Sequence, residues 1–284
     1  MHVTTGIENF LGEIATTMRH LIIGASGQVG GHLWRRLRHQ ATEEVMGTYF
    51  SHPEEGQRAL DFTDGVAVRQ LLERYQPDVL WMPAAMPDVD RCEKDPALSY
   101  RLNVEAPCQV GELARDIQAK VVFFSTDYVF DGTAGPYKET DDPNPLQVYG
   151  RHKVQTETFL LQHVPSTLII RPAWVYSNDP NPRNFVFRIV EQLKSGNIVN
   201  AAVDQINTPT DSDDLVQRAL TAVHRGDEGI RHIVGPKRLS RYDLTISIAR
   251  EHGYAESLVK PITTTSLNLA AKRPLDGGLV TIFP

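Results

Sequence analysis

The amino-acid sequence predicts an α/β fold in which a doubly wound parallel sheet carries a smaller C-terminal lobe. From Met18 to Pro172, short apolar runs alternate with longer amphipathic stretches. This alternation is typical of a parallel sheet covered by helices on both faces. Three glycines follow the first apolar run, as expected where a strand turns sharply into a helix. After Pro172 the alternation fades, which indicates a second unit.

The predicted strands and helices follow one another in strict order. The strand segments, rich in β-branched and aromatic residues, are HLIIG, EEVMGTYF, DVLWMPA, KVVFFST and STLIIRP. The helices between them are QVGGHLWRRLRHQ, DGVAVRQLLERYQ, ALSYRLNVEAPCQVGELARDI and YGRHKVQTETFLLQ, and two more are expected around 211–224 and 240–252. Because each strand is followed by a helix, successive strands lie parallel.

The composition excludes several classes of protein. The 284 residues carry a net charge of -6, and no basic cluster of the kind that binds nucleic acid or a membrane surface is present. Cys92 and Cys108 are too few for a disulfide framework, and the ten histidines show no metal-ligand spacing, so we expect no metal. No apolar run is long enough to cross a bilayer. Residues 1–17 lack the features of a secretion signal, so we expect a cytoplasmic protein with an N-terminal extension.

Gly24, Gly27 and Gly30 lie in the stretch GASGQVG, between the first strand and the first helix. Glycine there lets the backbone approach a pyrophosphate, and the helix N-terminus, with Gln28 and Val29, offers free N–H groups. The spacing is GxxGxxG, not the GxGxxG of the general dinucleotide fingerprint. The stretch predicts a dinucleotide-binding turn in a Rossmann-type fold.

The end of the second strand indicates which dinucleotide binds. An NAD site usually has an acidic residue there for the ribose 2′-hydroxyl. Here the strand ends in GTYFSH, and Glu43 and Glu44 lie at its start. Thr48, Ser51 and His52 suit a 2′-phosphate instead. We therefore expect NADP(H), and NAD(H) stays open because no arginine is plainly placed to hold the phosphate.

These signals set the predicted domain limits. Residues 18–172 form the NADP-binding domain, to which a segment near 211–235 returns. Residues 173–210 and 236–284 form the substrate-binding lobe. That lobe would face the carboxyl ends of the parallel strands, where open α/β sheets bind ligands.

Thr126, Tyr149 and Lys153 form the candidate reaction centre. Thr126 ends a buried strand in STDYVFDG, and Tyr149 and Lys153 follow in the next predicted helix. At positions i and i+4, the tyrosine and lysine point from one helix face. Their order and spacing are typical of an active site at the edge of the sheet.

These three side chains are of the types that reduction of a ketone needs. Hydride transfer leaves negative charge on the ketone oxygen, which must receive a proton. Tyr149 can donate it, since a nearby ammonium such as Lys153 lowers the pKa of a phenol. Thr126 can donate a hydrogen bond to the same oxygen. Lys153 can also bind the nicotinamide ribose, so the pattern predicts an NAD(P)H-dependent oxidoreductase.

With GASGQVG, STDYVFDG and YGRHK in this order, the sequence resembles the extended short-chain dehydrogenase/reductases. Within them it is most similar to the dTDP-4-dehydrorhamnose reductase (RmlD-like) family. Further matching stretches are PAAMPDVDRCEKDPALSYRLNV, IIRPAWVYS, NFV, VDQINTPT and AKRPLDGGL. The resemblance extends from Met18 to Leu279. It implies NADPH-dependent reduction of the 4-keto group of a dTDP-4-keto-6-deoxyhexose, as in dTDP-L-rhamnose biosynthesis.

The resemblance also implies roles for single residues. Thr126, Tyr149 and Lys153 match the catalytic group, and Asn103 matches the asparagine that supports the proton relay. Further cofactor-binding matches are Asp61 and Phe62, beside the adenine, and Ala84 and Ala85, along the cofactor. The substrate-binding matches are Met86, Thr126, Asp127, Tyr128, Trp174 and Arg273. Pro83 and Met86 stand where relatives more often carry polar or aromatic residues, which leaves the sugar open.

Other interpretations remain open beside this one. The chain could reduce another nucleotide sugar, or bind NADP without turnover, since DGTAGPYKETDDPNPLQVYG is similar to the regulatory β-subunit of methionine adenosyltransferase. A nucleotide-sugar dehydratase or epimerase is disfavoured, because Tyr128 stands where the similar dehydratases carry a further acid. The expected partner is a nucleotide-sugar substrate, with no nucleic acid and no membrane, and a homodimer is left open.

Overall fold

A computed structural model describes residues 17–179 and 184–283, so the predicted extension over residues 1–17 lies almost wholly outside the described residues. The strands are β1 Met18–Ile22, β2 Glu43–Tyr49, β3 Arg58–Ala59, β4 Val79–Met82, β5 Lys120–Phe124, β6 Thr167–Arg171, β7 Val175–Tyr176, β8 Val199–Ala202, β9 Ile206–Asn207, β10 Thr210–Asp211, β11 Gly229–His232, β12 Leu239–Ser240 and β13 Val259–Ile262. The helices are α1 Gln28–Leu37, α2 Gly65–Tyr75, α3 Val89–Lys94, α4 Pro96–Tyr100, α5 Ala106–Asp116, α6 Val148–His163, α7 Phe185–Lys194, α8 Ser212–His224 and α9 Arg241–Glu251.

Seven strands form one parallel sheet in the order β11-β6-β5-β4-β1-β2-β3. The chain starts in the interior at β1, builds outward through β2 to β3, and then crosses back to build the other half from β4. This reversal of direction creates a crevice at the carboxyl ends of β1 and β4, where ligands of doubly wound sheets bind. The predicted fold class is confirmed.

Neighbouring residues of each central strand point to opposite faces and pack in separate cores. Leu21, Leu80 and Phe123 belong to the core under α2, α5 and α6. Their neighbours Ile22, Trp81 and Phe124 belong to the core under α1 and α8. Burial on both faces explains why the strand segments are continuous apolar runs and not alternating ones.

The segment near 211–235 returns to the sheet. Helix α8 packs beside α1, and β11 pairs with β6 in parallel at the edge. The rest of the C-terminal third is held by three two-stranded pairings, β7 with β10, β9 with β12, and β8 with β13. The exact domain limits stay a prediction.

The long helix expected over ALSYRLNVEAPCQVGELARDI is interrupted. A π-helical turn over Arg101–Glu105 separates α4 from α5. Pro107 has no N–H with which to reach the carbonyl of Asn103 four residues earlier, and the Thr156 hydroxyl donates to that carbonyl instead, at 2.5 Å. A proline inside a predicted helix therefore marks the irregular turn.

Helix α7 was not expected from the sequence, although Asn184 caps it by accepting from the Val186 N–H. The two later helices expected around 211–224 and 240–252 are confirmed as α8 and α9. Among the described residues, no helix has the length and apolar character needed to span a bilayer.

Candidate active site

A cavity of about 890 Å³ lies along the carboxyl ends of the central strands. The structure gathers every predicted cofactor-binding residue around it: Gly24, Gly27, Gln28, Val29, Gly30, Thr48, Ser51, His52, Asp61, Phe62, Ala84, Ala85, Tyr149 and Lys153. Met86, predicted to bind substrate, lines it as well. Side chains from several separate strands and helices therefore face one space.

The glycine turn is packed so closely that side chains do not fit. Gly24 has φ +94°, and a Cβ there would lie 2.9 Å from the Cβ of Ala84. A Cβ on Gly30 would run into the carbonyl of Gly24. Gly27 precedes α1 without any side-chain cap, so the first N–H groups of the helix face the cavity. This uncapped N-terminus fits the pyrophosphate of a dinucleotide.

Of the three residues predicted to hold a 2′-phosphate, one is buried and two are exposed. Thr48 is buried, accepts from the Gly24 N–H at 3.3 Å and donates to the Ile22 carbonyl at 3.2 Å, so it supports the glycine turn. Ser51 and His52 are exposed, hydrogen-bonded to each other at 2.7 Å, and line the cavity. These two exposed side chains are therefore the ones placed to bind a phosphate.

Tyr149 and Lys153 lie on one face of α6, as predicted. The Lys153 Nζ donates to the Phe124 carbonyl at 2.7 Å, which fixes the ammonium at the end of β5. It lies 4.1 Å from the centre of the Phe123 ring and 5.9 Å from that of Tyr149. The Thr126 hydroxyl lies close enough to the Tyr149 phenol to stabilise its phenolate form. The three predicted catalytic side chains are therefore brought together.

Burial controls the protonation of this pair. Loss of solvent lowers the pKa of Lys153 to about 7, against the opposing effect of Glu157. Burial likewise raises the pKa of Tyr149, with Cys92 and Asp127 adding to the effect. The expectation that Lys153 lowers the Tyr149 pKa is therefore outweighed by desolvation. The phenol keeps its proton, which is the form that a proton donor requires.

Asn103 does not reach Tyr149 by its side chain. Its amide accepts from the Met86 N–H at 3.0 Å and donates to the Met86 carbonyl at 3.2 Å. It also donates to the Ser99 hydroxyl at 3.2 Å. Asn103 is thus placed as a positioning residue for the segment at Met86, while its carbonyl is bound by Thr156.

Thr126 is the first of three consecutive residues that are predicted to bind the substrate. Its hydroxyl donates to the Asp127 carboxylate at 3.2 Å and accepts from the Tyr128 N–H at 3.2 Å. Asn207 donates to the other Asp127 oxygen at 2.6 Å. Burial raises the pKa of Asp127 to about 6, although these hydrogen bonds oppose the rise. Burial and the charge of Asp127 raise the pKa of Tyr128 to about 12.

Trp174 and Arg273 occupy different parts of the lobe. Trp174 has φ +38°, a left-handed conformation that is rare for a bulky side chain. Arg273 donates to the Asp90 carboxylate at 2.6 Å and to the Ala271 carbonyl at 2.9 Å. It lines a second cavity of about 530 Å³ and not the cofactor cavity.

The chain is similar to known proteins along most of its length. Residues 18–281 match the family described as RmlD substrate binding domain. The chain belongs to this family. It is 34% identical over 274 residues to the dTDP-4-dehydrorhamnose reductase of Aggregatibacter actinomycetemcomitans, which covers 92% of this chain and 90% of the relative.

Two further relatives bear on the cofactor and the sugar. A dTDP-4-dehydrorhamnose reductase from Bacillus anthracis, solved in complex with NADP, superposes with a TM-score of 0.86 at 27% identity, over 93% of this chain and 90% of that one. A probable dTDP-4,6-dihydroxy-2-methyloxan-3-one 4-ketoreductase of Streptomyces antibioticus is 34% identical, over 90% of this chain and 85% of that protein. Members of the RmlD family thus include reductases named for different dTDP-linked ketones.

In this RmlD-family chain, sequence reasoning missed three residues near the site. Ser125 lines the cavity with a buried hydroxyl that has no partner among the described residues. Its position directly before Thr126 at the end of β5 was an available signal. Asn207 and Arg241 come from the C-terminal lobe, and no local pattern marks them. Within the described part of the chain, no cluster of His, Cys, Asp or Glu is arranged to hold a metal ion.

Proposed function

We propose that this chain reduces the 4-keto group of a dTDP-4-keto-6-deoxyhexose with NADPH. The observation that carries the proposal is the buried pair of Tyr149 and Lys153, which lines one cavity with an uncapped glycine turn and has the buried Thr126 beside it. Membership of the RmlD family, whose relatives are named as reductases of such sugars, supports the substrate class. The NADP complex of one relative supports the cofactor.

Bound NADPH supplies the hydride. The residues of this chain supply the rest. The Thr126 hydroxyl, which donates to Asp127 in this structure, turns to donate to the ketone oxygen as charge develops there. Tyr149 donates a proton to the same oxygen. Lys153 is fixed by the Phe124 carbonyl, and burial lowers its pKa to about 7. The negative phenolate that remains favours the protonated form of Lys153. Positive charge there makes the loss of the Tyr149 proton easier as the reaction proceeds.

The proposal is tested by following NADPH oxidation with dTDP-4-keto-6-deoxy-L-mannose. We expect turnover by the wild type and a loss of roughly 100- to 10,000-fold in kcat for Tyr149→Phe. Tyr100→Phe is the matched control, because Tyr100 is 48% exposed on α4 and should leave kcat unchanged. Tight NADPH binding without turnover would contradict the proposal and favour a regulatory NADP-binding subunit.

A second candidate is reduction of another dTDP-linked ketone. Met86, a substrate-binding candidate, lines the cavity with an apolar side chain, and one relative is named for a different dTDP-ketone. Turnover of another dTDP-ketose at a higher kcat/KM would favour this candidate. A cytoplasmic location and a homodimer stay predictions.

A further inference from the structure

Arg241 begins α9 at the edge of the C-terminal lobe. The helix start is already capped by Ser240 and Asp243, so the Arg241 side chain is not needed there. Its guanidinium carbon lies over the Trp174 ring, 3.7 Å from the centre, and 4.9 Å from the centre of the Phe185 ring. Stacking on aromatic faces positions a guanidinium while leaving its N–H groups free to donate.

Those N–H groups have no acceptor. Among the described residues, the other arginines that are not exposed all donate from the side chain to a carboxylate, amide or carbonyl oxygen: Arg19, Arg36, Arg171, Arg218, Arg231 and Arg273. No such bond is made by Arg241. Burial lowers the pKa of Arg241 to about 10. Arg241 is only partly buried, and none of its side-chain nitrogens is fully enclosed without a partner, so its N–H groups stay open to a ligand that offers acceptors.

The charges around Arg241 indicate the kind of ligand. Arg188 and Arg273 act on it electrostatically and lower its pKa further. Asp127 and Tyr128 also act on it electrostatically, so the guanidinium lies within electrostatic range of the segment that follows Thr126. The Asp127 carboxylate is already bound by Asn207 and Thr126. Asp90 pairs with Arg273, so these arginines and carboxylates together leave a positive charge that an anionic ligand would balance.

We propose that Arg241, stacked on Trp174, binds the diphosphate of the nucleotide-sugar substrate. The inference rests on the proposed function and adds to it the group that holds the nucleotide end. A planar guanidinium donates two parallel hydrogen bonds to phosphate oxygens, which a lysine cannot do. Arg188 and Arg273 add to the positive potential that attracts the diphosphate.

The test is calorimetric titration of dTDP and of thymidine into the protein saturated with NADP⁺. We expect Arg241→Gln to weaken dTDP binding by roughly 10- to 100-fold and to leave the affinities for thymidine and NADP⁺ unchanged. Arg241→Lys should fall between the wild type and the glutamine variant. Arg250→Gln is the control, because Arg250 lies on the same helix but is exposed and paired with Glu256 at 2.9 Å.

Each other outcome overturns the inference in a distinct way. If the wild type and Arg241→Gln bind dTDP equally, Arg241 does not hold the diphosphate, and the proposed function is unaffected. If thymidine binding falls as much as dTDP binding, Arg241 acts only by supporting Trp174. If the wild type itself binds no dTDP, both this inference and the proposed substrate class are wrong.

Discussion

The cofactor side and the substrate side of the cavity are built by different kinds of contact. On the cofactor side, main-chain hydrogen bonds join the ends of adjacent parallel strands, such as Ala25 N–H to the Thr48 carbonyl at 2.7 Å and Ala84 N–H to the Ile23 carbonyl at 3.1 Å. On the substrate side, single side chains reach across the sequence, and Asn207 binds Asp127 from 80 positions away. The first kind depends on backbone geometry, the second on the identity of each side chain.

This difference predicts how substitutions on each side of the cavity should act. A change in the glycine turn disturbs backbone that several strands share, so its effect should be large and confined to the cofactor. A change on the substrate side removes one long-range bond, so its effect should be smaller and should depend on the charge of the partner. Three substitutions, taken from the largest expected effect to the smallest, test this contrast.

Gly30→Ala should have the largest effect. The added methyl group would meet the carbonyl of Gly24, which is backbone and cannot move without opening the turn. We expect NADPH affinity to fall by at least roughly 100-fold, measured by the fluorescence of bound NADPH. An affinity within a few-fold of the wild type would show that the turn tolerates a side chain and that the contrast is wrong.

The neighbouring Gly31→Ala is the matched control. Its added Cβ would lie 3.3 Å from the end of the flexible Arg35 side chain. That side chain is exposed, and its surface ion pair with Asp179 is weak enough to let it shift. Alanine is favoured over glycine inside a helix by roughly 0.5–1 kcal/mol. Adjacent glycines in α1 should therefore give effects of opposite sign on stability, and Gly31→Ala should leave NADPH affinity unchanged.

The same contrast explains what the sequence could predict. The sheet, the glycine turn and the pair Tyr149 and Lys153 each follow from local periodicity or from fixed spacing within one element. The irregular turn after α4 follows from Pro107, whose missing N–H leaves the Asn103 carbonyl without a helical donor. The exact place of the turn also depends on Thr156 of α6, whose hydroxyl donates to that carbonyl. Local pattern alone could not reveal that tertiary contact.

The substrate side was predicted less completely for a physical reason. Arg241 acquires its role only because α9 places it over Trp174, 67 positions earlier in the chain (241 − 174). Neither residue carries a local signal of the other. Similarly, the high pKa of Tyr149 results from burial by surrounding elements, which spacing along one helix does not reveal.

Asn207→Ala should have an intermediate, pH-dependent effect. Asn207 donates at 2.6 Å to the Asp127 carboxylate, whose pKa burial raises to about 6. A raised carboxyl pKa means that the protonated form stabilises the fold, and that this stability is lost as the pH rises through about 6. Above that pH the buried carboxylate depends on its donor. We expect a loss of about 2 kcal/mol at pH 8 and a smaller loss at pH 5, measured by chemical denaturation.

The background of Asp127→Asn isolates this effect. With no charge at position 127, the cost of Asn207→Ala should become the same at both pH values, because only its bond to the Thr208 N–H and its packing remain. An equal loss at pH 5 and pH 8 in the wild-type background would mean that Asp127 does not titrate in this range.

Arg273→Ala should have the smallest effect on stability. The ion pair with Asp90 joins residues 183 positions apart at 2.6 Å, but the two side chains keep 12% and 28% of their surface exposed. Partly exposed ion pairs contribute only about 0.5–1 kcal/mol, so the free energy of unfolding should fall by about that amount.

Because Arg273 also adds positive charge beside Arg241, the KM for the nucleotide sugar should rise while NADPH affinity stays constant. Asp90→Asn separates the two contributions, since it weakens the ion pair but leaves the Arg273 charge in place. If both variants raise KM equally, the ion pair positions the lobe, and the charge of Arg273 does not act on the substrate.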